Sequence, residues 1–200
     1  MVENGEGKSV EREQAVDRRR ARDEKKRGPW GIALEIVVIV AAAFAIALLV
    51  QAFLIKPFTI HQVSMRPTLE DGDRVLINRL SYHFRDPEPG DVVIFHSPRV
   101  EGEDLVKRVV AVAGDRVTVK DGKLWVNGVA QDEPYLLEQD FAGVYPQAGE
   151  EEVVSEGKVF VLGDNRNNSG DSRYFGPIDI ESIMGCAFAV YWPISHWRGL

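Results

Sequence analysis

Val117-Thr118-Val119-Lys120-Asp121-Gly122-Lys123-Leu124-Trp125-Val126 alternates in polarity on both sides of a two-residue Asp-Gly pair. Asp-Gly favours the turn whose twist matches two paired strands, so the stretch predicts a β-hairpin with Val119 opposite Leu124 and Val117 opposite Val126. Directly opposed residues share one face, which is here wholly apolar. Such a face must be covered, so the hairpin belongs to a larger β structure and not to an isolated ribbon.

Working outward, Asn127-Gly128 marks the next turn. Upstream, Arg74-Val75-Leu76-Ile77 follows the Asp71-Gly72-Asp73 turn, and Asp91-Val92-Val93-Ile94-Phe95 follows Pro89-Gly90. Downstream, strands are expected from Lys158 to Leu162 and from Cys186 to Trp192, while Gln131 to Glu152 is polar, loop-rich and assigned no element. No long amphipathic helix is expected after residue 56. Residues 57–200 therefore read as an all-β domain of coiled antiparallel sheets, partly closed and barrel-like.

Before that domain the chain is of a different kind. Residues 1–29 hold nine Lys/Arg and seven Asp/Glu, with Arg18-Arg19-Arg20 and Lys25-Lys26-Arg27 near the end, and read as a solvated, disordered tail. From Ile32 to Ile55 only Glu35 and Gln51 interrupt an apolar run. As a helix this run spans about 36 Å, enough to cross a hydrocarbon core of roughly 30 Å. A cleavable leader is the rival reading, but the run is too long and Gln51-Ala52-Phe53-Leu54-Ile55-Lys56-Pro57 offers no clear small-x-small cleavage site. Residues 30–56 are thus expected to be one retained transmembrane helix, and the basic cluster before it predicts a cytoplasmic N-terminus and an extracytoplasmic 57–200.

Composition excludes several classes. The tail has a net charge of +2 and the whole chain −7, which leaves −9 for the rest, the wrong sign for a nucleic-acid partner. A single cysteine, Cys186, rules out an intrachain disulfide and a cysteine zinc cluster. No two of His61, His83, His96 and His196 have helical ligand spacing, and no Gly-rich phosphate loop is present, so no metal and no cofactor are expected.

Three segments can carry chemistry. In Phe58-Thr59-Ile60-His61-Gln62-Val63-Ser64-Met65-Arg66-Pro67-Thr68-Leu69, Ser64 sits between an extended segment and a rigid Arg-Pro turn. Its hydroxyl is a poor nucleophile unless a placed base takes the proton. Lys107-Arg108-Val109-Val110-Ala111-Val112-Ala113 reads as a strand buried on both sides, and only one of Lys107 and Arg108 can enter a given face. A lysine held there loses hydration of its charged form and its pKa falls toward that of a general base, whereas arginine stays protonated. The alternative is that both are strand-edge charges held in water. A Ser-His-Asp triad also stays open, because triads are set by geometry and not by order. In Gly163 to Gly176, Asp164, Asp171, Arg166 and Arg173 can satisfy one another, and Ser169 can orient an amine. Such a self-bonded loop makes a rigid wall.

Taken in order, these segments resemble the bacterial type I signal peptidases, serine proteases with a Ser/Lys dyad. The resemblance covers nearly all of residues 32–193 and is carried by the anchor, Ser64-Met65-Arg66-Pro67-Thr68-Leu69, Gly72-Asp73-Arg74-Val75, Gly90 to Phe95, Lys107-Arg108-Val109-Val110, Gly163-Asp164-Asn165-Arg166 through Arg173, and Tyr191-Trp192-Pro193. It implies Ser64 as nucleophile, Lys107 as general base, Ser169 as the hydroxyl that orients the lysine, and Asp164, Asp171, Arg173 and Arg108 as residues that brace the site. It also implies an oxyanion hole at the Ser64 backbone N–H, often joined by a hydroxyl two residues earlier. That position here is Gln62, so either its amide donates instead or the second donor lies elsewhere. The implied substrates are exported pre-proteins with cleavable signal peptides, cut after small residues, typically Ala-x-Ala. Ser64 follows Ile55 by nine positions, a reach of at most about 30 Å, so the site is expected close to the lipid bilayer. The rival readings are a non-catalytic tethered β module that binds exported chains and a related Ser/Lys protease that cuts itself.

Overall fold

The computed structural model describes residues 29–53, 55–138, 141–147 and 151–200, so the charged tail inferred for residues 1–29 lies, but for Pro29, outside the described residues. The chain forms two units that divide near residue 50. The first contains most of helix α1 (Pro29–Phe53), whose apolar side chains from Ile36 to Val40 are exposed. Residues 29–49 are long and apolar enough to cross a membrane. The helix stops at Phe53, three residues before the expected end, and Lys56-Pro57 already lies in strand β1 (Ile55–Thr59). Proline has no N–H for a helical bond, and at an edge strand none is needed.

The second unit is antiparallel throughout. After β1 come β2 (Arg74–Asn78), the short helix α2 (Ser81–Phe84), β3 (Val92–His96), β4 (Asp104–Val112), β5 (Arg116–Lys120), β6 (Lys123–Val126), β7 (Val129–Ala130), β8 (Glu152–Val153) and β9 (Lys158–Leu162). Helix α3 (Ser172–Phe175), β10 (Ile178–Asp179), β11 (Ile183–Trp192) and β12 (Arg198–Gly199) complete it. The larger sheet runs β1-β2-β11-β3-β4-β9-β10 with β12 on β11, and the smaller runs β7-β6-β5-β8. The all-β antiparallel expectation holds, and the sheets do not form a fully closed barrel: among the described residues β1 and β10 end the large sheet without pairing to each other.

The hairpin forms in the expected register, Val119 opposite Leu124 and Val117 opposite Val126. Asp121 and Gly122 both take positive φ, 53° and 71°, as its two-residue turn requires. Its apolar face packs on Val110, Ala111, Phe160 and Leu162 of β4 and β9, and on Leu136 and Phe141 from the stretch between β7 and β8. That stretch is mostly irregular, yet it covers the core and bridges back to Val119 at Tyr145.

Strand β4 is covered on both faces, as its unbroken apolar run predicts. Val106 joins Val92 and Ile94 in one cluster, and Val109 joins Val93 and Phe95 in another. A register shift against β9 between Val109 and Ala111 then turns Val110 and Ala111 both toward the hairpin. The loop that carries Ser64 is pinned from below by Ile60, Met65 and Leu69, none more than 1% exposed. Each such side chain contributes about 1.5 to 3 kcal/mol by burial, so the polar segment between them is held by its apolar flanks.

Candidate active site

The β1–β2 loop folds back on itself before it meets anything else. Ile60 N–H donates to the Asp73 carbonyl at 2.8 Å, Gly72 N–H to the Ile60 carbonyl at 2.9 Å, and Leu69 N–H to the Met65 carbonyl at 2.9 Å. A second segment then grips it. Asn165 N–H donates to the Ser64 carbonyl at 2.9 Å, and the Asn165 side-chain amide donates to the Val63 carbonyl at 3.2 Å. The Ser64 N–H has no acceptor among the described residues.

Lys107 lies opposite Val93 on the neighbouring strand and is 1% exposed. Alternation puts the two cations on opposite faces, and packing places Lys107 on the face of Leu105 and Val109 while Arg108 takes the other. Lys107 Nζ is 2.8 Å from Ser64 Oγ and 3.0 Å from the Val106 carbonyl. Burial pushes its pKa down to about 8, against the more distant carboxylates of Asp171, Glu103 and Asp164, which pull it up. A neutral amine in this position donates N–H to the Val106 carbonyl and keeps its lone pair for the Ser64 proton.

Arg108 forks onto Asp164, Nε to Oδ1 at 2.9 Å and Nη2 to Oδ2 at 2.7 Å, and Nη1 donates to the Gly90 carbonyl at 2.8 Å. Thr68 Oγ1 donates to Asp164 Oδ2 at 2.5 Å, which ties the far end of the serine loop to the same carboxylate. Asp171 caps α3 and accepts Arg173 Nε and Nη2, both at 2.8 Å, and the Gly163 N–H at 3.1 Å. The charges of the 163–176 segment thus do not satisfy one another as expected. Asp171 and Arg173 pair, but Asp164 pairs with Arg108, and Arg166 pairs with Glu133 in the stretch outside the motifs. Thr68 and Glu133 escaped the sequence reading because their partners lie 96 and 33 residues away.

Two expected site residues sit differently from the rest. Among the described residues the buried Ser169 Oγ has no hydrogen-bond partner and is not bonded to Lys107; it lies against Gly163. Gln62 turns its Nε2 toward the Asp104 carbonyl at 3.2 Å, and its buried Oε1 has no partner among the described residues. The histidines form no triad with Ser64. His96 pairs with Asp104 and His196 with Asp73, while His61 lines the same cavity as Ser64 without bonding to it.

That cavity, about 580 Å³, opens over Ser64 and Lys107 and is walled by His61, Gln62, Leu105 and Phe175. A buried amine against a serine hydroxyl beneath an apolar cavity is suited to acyl transfer, because the base is generated by desolvation and needs no imidazole.

The family model described as "Signal peptidase, peptidase S26" matches residues 33–192. The chain is 40% identical over 180 residues to a protein named "Probable signal peptidase I-1" from a Synechocystis species, covering 86% of this chain and 89% of the relative. It is 42% identical over 181 residues to a "Signal peptidase IB" of Staphylococcus aureus, covering 82% of this chain and 92% of the relative. A crystal structure of a signal peptidase I from Enterococcus faecalis is 34% identical and covers 51% of this chain and 97% of its own, with a TM-score of 0.45.

Proposed function

The chain belongs to the signal peptidase family, peptidase S26, whose serine peptidases remove signal peptides, and from that membership we propose that Ser64 and Lys107 carry the reaction here. The observation that supports the assignment is the 2.8 Å approach of the buried Lys107 Nζ to Ser64 Oγ. Ser64 Oγ attacks the scissile carbonyl of a pre-protein and passes its proton to the neutral Lys107. Lys107 returns a proton to the departing amine, the C–N bond breaks, and the signal peptide stays as an ester on Ser64. Water then attacks the ester, giving its proton to Lys107 and freeing Ser64. Coordination of the oxyanion falls to the Ser64 N–H, which has no acceptor among the described residues, and one such donor contributes about 3 to 4 kcal/mol to lowering the barrier. Gln62 is the candidate for the second donor through the remaining Nε2 hydrogen, its first being engaged by the Asp104 carbonyl. Asp164, Asp171, Arg108 and Arg173 brace the backbone around the dyad, and the amine is oriented by the Val106 carbonyl at 3.0 Å.

Activity is expected to follow the neutral amine. Protonated Lys107 cannot accept the Ser64 proton, so kcat/KM rises with pH through an apparent pKa of about 8 and levels above it. The measurement is a pH profile of pre-protein cleavage in detergent. A profile without a limb near 8 would overturn Lys107 as the base.

Residues 29–49 fit a single membrane crossing by length and composition. The orientation proposed here, tail inside and residues 57–200 outside, rests on the basic clusters that precede the helix. Contact with the lipid bilayer is further supported by the exposed Phe188, Trp192, Ile194, Trp197 and Leu200 around β11 and β12, residue types that favour the headgroup region. In spheroplasts, added protease is expected to remove a C-terminal tag and spare an N-terminal one; the opposite pattern overturns the orientation.

A further inference from the structure

Glu133 and Tyr135 belong to the polar stretch between β7 and β8, which neither the nucleophile nor the base motif includes. Glu133 is 5% exposed and forks onto Arg166, Oε2 to Nη1 at 2.7 Å and Oε1 to Nη2 at 2.6 Å. Tyr135 donates its hydroxyl to Glu133 Oε1 at 2.6 Å, and its ring lies under the Arg108 guanidinium at 4.1 Å. The two residues therefore join the two arginines that flank the site. Arg108 holds Asp164, and Arg166 donates Nε to the Gly163 carbonyl at 3.0 Å.

Both paths end on residues 163–165, and that segment fixes the nucleophile. Asn165 N–H bonds the Ser64 carbonyl, and the Gly163 backbone approaches the same carbonyl so closely that a Cβ would lie 2.5 Å from it. We propose that Glu133 and Tyr135 are positioning residues for the reaction at Ser64, setting the height of the 163–165 backbone through Arg166 and Arg108. This rests on the Ser64/Lys107 reading. A buried ion pair is often no more stabilising than an apolar pair of similar volume, so its contribution is sought in geometry and not in net stability. Misplacing reacting groups by an ångström can cost about a hundredfold in rate.

The test uses the full chain in detergent with a pre-protein substrate. Glu133→Gln, which keeps shape but removes the charge, is expected to lower kcat about tenfold while KM stays within about twofold. Tyr135→Phe keeps the ring under Arg108 and loses only the hydroxyl; kcat falls about two- to threefold. The double variant Glu133→Leu with Arg166→Met replaces the pair by apolar groups. It is expected to melt near the wild-type temperature yet turn over no faster than Glu133→Gln. That separation of stability from rate is what a purely structural role does not give. Recovery of kcat together with melting in the double variant, wild-type kcat in the folded Glu133→Gln protein, or a rise in KM alone overturns the proposal. If Glu133→Gln fails to fold, the double variant and Tyr135→Phe decide by the same criteria. Failure of the Ser/Lys reading looks different, because Ser64→Ala or Lys107→Met then retains turnover whatever stands at position 133.

Discussion

Lys107→Met and Ser64→Ala each reduce pre-protein cleavage to background, a loss of about a thousandfold or more, and the double variant is no slower than either alone. Groups that act as one unit behave this way, since the second removal takes nothing further from a barrier already without its base or its nucleophile. The two single variants differ in stability, and that difference checks the burial argument. Lys107 is 1% exposed with its pKa held down to about 8, so an apolar chain of similar length removes the cost of desolvating an amine. Lys107→Met is therefore expected to melt no lower than the wild type. Lys107→Arg is no rescue, because guanidinium does not give up its proton. Multiple turnovers by either single variant would sink the dyad.

Gly163→Ala is expected to lower kcat by about a hundredfold and stability by about 1 to 3 kcal/mol, the usual cost of forcing extra volume into a packed site. The Cβ would lie 2.2 Å from Ser169 Oγ, 2.6 Å from Ser169 Cβ and 2.5 Å from the Ser64 carbonyl oxygen. A serine hydroxyl can rotate away, but the Ser64 carbonyl is backbone and already holds the Asn165 N–H. Relief must come from moving the nucleophile's own main chain away from Lys107. The kinetics and the denaturation midpoint are read together, and a Gly163→Ala enzyme with unchanged kcat would show that the close approach is not needed for the reaction. Reading the glycines of this chain as turn markers holds for Gly122 and Gly128, both with positive φ, but not for Gly163, which is required for space.

How much could be read from the chain varies by residue. The hairpin from Val117 to Val126 was legible to the register, because turn chemistry and alternation act within ten residues. Choosing Lys107 over Arg108 needed more. Alternation says that one of them enters a given face, but only the packing of Val93, Leu105 and Phe175 on that face, and of Gly90 and Thr68 near the other, decides which. The charged loop is not self-sufficient: Asp164 takes its guanidinium partner from β4 and Arg166 its carboxylate partner from the stretch before Phe141. Opposite charges nearby in sequence are plausible partners, yet a buried charge takes whichever partner the fold brings into a dry site.

The amino-acid order by itself determined the apolar span, the antiparallel strands and the two motifs that hold Ser64 and Lys107, since each depends on periodicity and turn residues over a short reach. Tertiary structure alone decided that the large sheet stays open, that Lys107 meets Ser64 at 2.8 Å across 43 residues of chain, and that Glu133 joins the arginines around them. The physical reason is that desolvation and ion pairing are properties of a place in the folded protein, made by residues distant in sequence, and no local pattern records which of them will share it.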